Sequence, residues 1–181
     1  MSGLTGDWGK INNILNPSKL RALMKQCAAR VGNYGASEVK KGIVGGAPGG
    51  KTFTPLSALA IARKGSDKPL IDHGDLVGSV TYQTFNNEDS VFIGVKKGVK
   101  RKDNQDSEVV QIAAVHEFGC TIEVTPKMRA YLHYQGIHLK PDTTHIHIPA
   151  RPFLRPILQS SDFQNEVGEI YVNALRKAFM S

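Results

Sequence analysis

Three prolines fall within eight residues in the stretch Ile146-His147-Ile148-Pro149-Ala150-Arg151-Pro152-Phe153-Leu154-Arg155-Pro156, and nothing else in the chain constrains its fold as tightly. Each proline fixes its own φ and pushes the preceding residue toward extended geometry. His145-Ile146-His147-Ile148 alternates polar and apolar, as a half-buried strand does, and Pro149 ends it. Pro152 or Pro156 fits the first turn of a helix, where a missing N–H costs nothing. Phe153, Leu154, Ile157 and Leu158 give the junction an apolar anchor. The pattern predicts a rigid strand-to-helix corner with Arg151 displayed on it.

Elsewhere the helices announce themselves through their ends. Asn16 offers an N-cap and Pro17 an N1 proline. Leu20, Leu23, Met24, Cys27, Val31 and Tyr34 then follow at helical spacing, which predicts a helix from Pro17 to about Lys41 that Gly32 and Gly35 weaken. Residues 1–16 read as a polar arm around Trp8, either frayed or docked on a neighbouring subunit. Residues 42–55 read as a flexible glycine-rich loop. A short helix is expected from Ser57 to Lys64, ended by Gly65. Ser79–Phe85 and Ser90–Val95 flank the polar turn 86–89 as a hairpin. Val109–Phe118 is apolar throughout and fits a strand or a short helix. Thr125-Pro126 starts a helix that Gly136 stops after Tyr134. Ser161-Asp162-Phe163-Gln164 fits a capping box for a last helix. Its buried face is Phe163, Val167, Ile170, Ala174, Leu175 and Phe179.

With 181 residues the chain is of single-domain size, and such a domain buries roughly 70% of its unfolded surface. No apolar run approaches the ~18 residues of a membrane span, and Met1–Lys10 has no secretory pattern. Cys27 and Cys120 read as free thiols in a reducing cytoplasm. The net charge of +7 favours nucleic acid or an acidic protein face as partner. It concentrates in Lys96, Lys97, Lys100, Arg101 and Lys102. That run is either a solvated hairpin loop or a loop aimed at DNA phosphates. No aromatic interleaves it, so any DNA contact is expected to be sequence-independent and salt-sensitive.

Three patterns invite chemistry. Gly45-Gly46-Ala47-Pro48-Gly49-Gly50-Lys51-Thr52 matches a phosphate loop letter for letter, with Lys51 on phosphates and Thr52 on magnesium. A phosphate loop leaves a strand and opens a helix, whereas only Ile43 and Val44 precede these glycines and Pro55 follows closely. A surface loop is the expected outcome. His116-Glu117 lacks the second histidine of a metalloprotease helix, although His145 and His147 share one strand face. Asp72 and Asp75 form the close aspartate pair of the Pro69–Gly78 segment, where a local cap or Asx turn is a simpler role than acid–base work. No nucleophile arrangement is present. Neither enzymatic activity nor a metal or cofactor is expected.

Three segments together resemble the virion-morphogenesis (tail-completion) proteins of tailed bacteriophages. They are Pro69–Val80, with Asp72, Gly74 and Leu76; Ala113–Gly119, with His116, Glu117, Phe118 and Gly119; and the corner with Pro149, Arg151, Pro152 and Phe153. The resemblance covers about Phe53 to Leu158, and Thr121–Thr144, within the excursion expected at 120–144, looks like a linker found in a subset of members. At His73-Gly74-Asp75 the chain departs from the pattern, in which a threonine commonly precedes the glycine and a basic residue often follows. The expected fold is α+β: an antiparallel sheet of about four strands with the N- and C-terminal helices on one side. The resemblance implies a non-enzymatic structural virion protein of the tail or neck, made in the host cytoplasm. It also implies a ring, expected to be six-fold, around the DNA channel. Partners would be further copies, the tail tube or tail terminator, the head–tail connector and packaged DNA, with no membrane. His116, Glu117 and Gly119 would sit at a structural turn, with Glu117 or His116 holding a backbone group or Arg151. Two other functions stay open: a sequence-independent DNA-binding protein acting off the virion, and a nucleotide-binding protein using Gly45–Thr52.

Overall fold

A computed structural model describes residue 9 and residues 16–85, 90–102 and 106–180. Trp8 and the turn expected at 86–89 lie outside the described residues.

Helix α1 (Pro17–Gly45) starts where Asn16 Oδ1 accepts the Ser18 N–H at 3.0 Å, and it runs past the predicted end at Lys41 to a left-handed Gly46. The helix runs unbroken through Gly32 and Gly35. A Cβ at Gly32 would lie 2.4 Å from the Tyr82 ring, and one at Gly35 would lie 2.5 Å from Ile93 Cδ1. Their missing side chains let α1 settle onto the strands beneath. These are β1 (Val80–Thr84) and β2 (Val91–Val95), antiparallel with Val80 opposite Val95.

Between α1 and β1 lie α2 (Ala58–Lys64), capped by the Ser57 hydroxyl and closed by Gly65 with φ of 70°, and α3 (Asp75–Ser79). The ambiguous apolar run resolves as a helix, α4 (Val109–Phe118). Next come β3 (Cys120–Glu123), α5 (Pro126–Tyr134), β4 (His145–Ile148), α6 (Arg155–Leu158) and α7 (Ser161–Met180). β3 and β4 pair antiparallel, Cys120 opposite Ile148.

The fold is therefore mixed helix and strand with antiparallel pairing, but the sheet of about four strands is corrected to two separate two-stranded ribbons. Because 109–118 is helical, no strand among the described residues bridges the two. Pro149 has no N–H with which to extend β4.

The core gathers Val39, Ile43, Phe53, Leu76, Val80, Val109, Phe153, Ile157 and Phe163 around the contact of α1 with the first ribbon. α7 joins it through Phe163, stacked on Tyr34 with ring centres 5.7 Å apart. The capping box expected at Ser161 is displaced. Ser160 Oγ accepts the Phe163 N–H at 3.2 Å, which puts a phenylalanine where the reciprocal acceptor would sit. Phe179, expected on the buried face, is exposed. Among the described residues no helix is long and apolar enough to cross a membrane.

Candidate functional site

The proline corner and the end of α4 form one buried network. α4 closes on Gly119 (φ 76°), where a Cβ would come within 3.1 Å of the Ala150 nitrogen and 3.2 Å of the Ile148 oxygen. The backbone must pass there without a side chain, in a region of φ that favours glycine. Beside it, the Arg151 N–H donates to the His116 carbonyl at 2.6 Å.

Glu117 is 4% exposed and receives four donors from the corner. Its Oε2 accepts the N–H groups of Phe153 (2.8 Å) and Leu154 (3.0 Å), and its Oε1 accepts the N–H and Nε–H of Arg155, each at 3.1 Å. A second Arg155 nitrogen returns to the Glu117 carbonyl at 3.1 Å, and the guanidinium lies over the Phe118 ring, 4.8 Å from its centre. Burial alone would raise the Glu117 pKa. The N–H groups of Leu154, Phe153 and Arg155 and the Arg155 side chain outweigh it, and the net shift is downward. With its oxygens occupied, this carboxylate is suited to bracing rather than to moving protons. Phe118 itself stays 68% exposed.

Arg151 is not displayed on the corner; it is buried within it. Its Nε donates to the Thr54 carbonyl at 2.7 Å and another nitrogen to the Pro55 carbonyl at 2.9 Å. The flat guanidinium fork matches two successive carbonyls. Desolvation lowers the Arg151 pKa. Burial, then the charges of Arg151 and Lys64, hold the His116 pKa below its ordinary value. His116 Nδ1 is buried without a hydrogen-bond partner. Residues 149–152 form no regular secondary structure, and Phe153 is fully buried.

The Pro69–Gly78 segment has a different job for each residue. Gly74 takes a left-handed turn (φ 79°) into α3, and Leu76 is buried in the core. Asp72 and Asp75 do not act as a pair; each holds part of the basic run. Asp72 lies 3.9 Å from an Arg101 nitrogen, while Asp75 accepts the Lys102 N–H at 3.2 Å and lies 3.7 Å from its ammonium. Lys100 is 3.8 Å from Glu108. Lys96 and Lys97 remain on the exposed turn after β2.

The glycine-rich segment meets the body at Pro48 and Gly49. Pro48 is buried in a single 3-10 turn, and Gly49 (φ 57°) passes so close to Pro156 that a Cβ would meet its carbonyl oxygen at 2.3 Å. Helix α1 leads into these glycines, and chain without regular secondary structure follows Lys51. The strand-then-helix frame of a phosphate loop is not formed.

Residues 120–148 contain no fully buried residue. This excursion is held by Arg129, whose guanidinium donates to the carbonyls of Lys140 (2.9 Å) and Thr143 (2.6 Å). Tyr131 and Tyr134 are 57% and 86% exposed on α5. His145 and His147 each meet a threonine hydroxyl, and no metal-binding cluster occurs among the described residues. Sequence reasoning assigned no role to Arg155 or Arg129, because each acts on carbonyls or a carboxylate far along the chain. No family model, curated protein or solved structure matches this chain.

Proposed function

We propose that this chain is a structural virion protein that completes the tail or neck of a tailed bacteriophage, joining tail to head as an oligomeric ring around the DNA channel. The three segments that carry the resemblance supply the residues of one braced body: Leu76 in its core, Glu117 and Arg151 locking its corner. The observation that carries the reading is the excursion at 120–148. It has internal order from Arg129 yet buries nothing fully, and it exposes Tyr131 and Tyr134. Aromatic residues on a poorly buried element suit a surface completed by another subunit. The six-fold copy number, the tail-tube, terminator and connector partners, and the virion location rest on the resemblance. Lys96 and Lys97 are the lysines of the basic turn that would face DNA phosphates.

Light scattering and negative-stain imaging of the purified chain, alone and with tail-tube and connector proteins, test this reading. Rings or stoichiometric complexes are expected, with Tyr134→Ser impairing them while leaving the monomer folded. A chain that stays monomeric with every such partner and instead binds duplex DNA would replace the ring by the off-virion DNA-binding reading.

A further inference from the structure

Beside the corner, α2, α3 and α4 enclose a half-open cleft of about 580 Å³. Leu56, Leu70 and Ile112 supply apolar wall surface, and Arg63, Lys64 and His116 line the cleft as well. Its acidic members already have cations of their own, Asp72 beside Arg101 and Asp75 beside Lys102. Among the described residues neither Arg63 nor Lys64 forms an ion pair with a carboxylate. Lys64 donates to the Lys68 carbonyl, a neutral acceptor. Arg151 adds a buried positive charge behind His116, satisfied by carbonyls alone.

We propose that this cleft binds an anionic head group, carboxylate or phosphate, carried on a short apolar chain. The apolar wall takes the chain and Lys64, with Arg63, takes the head. This goes beyond the ring reading and does not depend on it. Two further observations point to a ligand. His116, at the cleft, keeps a buried ring nitrogen with no partner. Burial depresses the pKa of both Lys64 and His116, Asp72 and Asp67 opposing the effect at Lys64 and Arg151 and Lys64 reinforcing it at His116. Perturbed groups gathered in one concave site of mixed apolar and charged lining are a physical signature of binding. An anion there adds an attractive charge beside Lys64 and His116.

The test is a titration of the full chain with sodium hexanoate and, separately, hexyl phosphate, followed by the NMR signal of the His116 imidazole. Saturable binding is expected, with the His116 pKa rising in the complex because an opposite charge has arrived. Lys64→Gln should weaken binding by about ten-fold or more, the cost of a lost charge-assisted hydrogen bond. Arg63→Gln serves as a second variant should Lys64→Gln lose stability. Acetate should bind more weakly than hexanoate, because it leaves the apolar wall bare. The tighter of the two hexyl ligands identifies the head group. Absence of saturation with both, or equal affinity in both variants and the parent, would overturn the proposal.

Discussion

Phe153 and Glu117 are joined by a 2.8 Å hydrogen bond from the Phe153 backbone N–H to the Glu117 carboxylate, across 36 positions of sequence. Phe153 is fully buried, so its N–H has no access to water and must find its acceptor inside the protein. Glu117 performs that service for three consecutive amides and thereby sets the direction in which the chain leaves the corner.

Replacing Glu117 by Gln keeps the shape but removes the charge and puts an NH2 group where an acceptor stood. Buried donors then lose their partner, and the expected cost is about 2–4 kcal/mol. Urea unfolding of Glu117→Gln measures it. A loss within experimental error would show that the amides find other acceptors.

Acid should destabilise the protein in two stages. The folded-state pKa of His116 lies below its ordinary 6.5, so the unfolded chain takes up that proton first as pH falls. Its contribution is complete above about 6.5 and is lost as pH drops through the folded value. Glu117 has its folded pKa below 4.5; its contribution is present above that value and is lost as pH falls through the depressed one. Unfolding midpoints measured from pH 7.5 to 3 should show both losses, and His116→Gln should erase only the upper one.

The same substitution should have opposite signs on two helices. Gly32→Ala forces a methyl group against Tyr82 and Val91 at 2.4–2.7 Å, and should cost about 1–3 kcal/mol despite alanine's better helix propensity. Gly168→Ala on α7 meets nothing within 4 Å and should gain up to about 1 kcal/mol. Thermal unfolding of the two variants compares them directly.

Arg129→Gln should loosen the excursion without unfolding the body. Hydrogen exchange across 137–147 is expected to speed up while protection in α1 and the first ribbon stays unchanged, since the guanidinium hydrogen-bonds to the Lys140 and Thr143 carbonyls within the excursion. A uniform rise in exchange would instead mean that excursion and body unfold together.

What sequence alone determined is local. Asn16-Pro17, Ser57 with Gly65, and Thr125-Pro126 mark helix boundaries because a cap and the amide it satisfies lie within three residues of each other. Pro149 ends β4 and Pro156 opens α6 because a proline fixes its own backbone wherever it stands. Tertiary structure decided whatever depended on partners far along the chain. It turned Arg151 inward onto carbonyls 96 and 97 positions away, made Gly32 and Gly35 points of close approach, and packed Pro48 and Gly49 against the corner. It also made the apolar run at 109–118 a helix, and so split the strands into two ribbons. The physical reason is range: caps and prolines act on neighbouring residues, whereas a buried charge, a missing Cβ or an apolar run of either period takes its meaning from what the folded chain brings beside it.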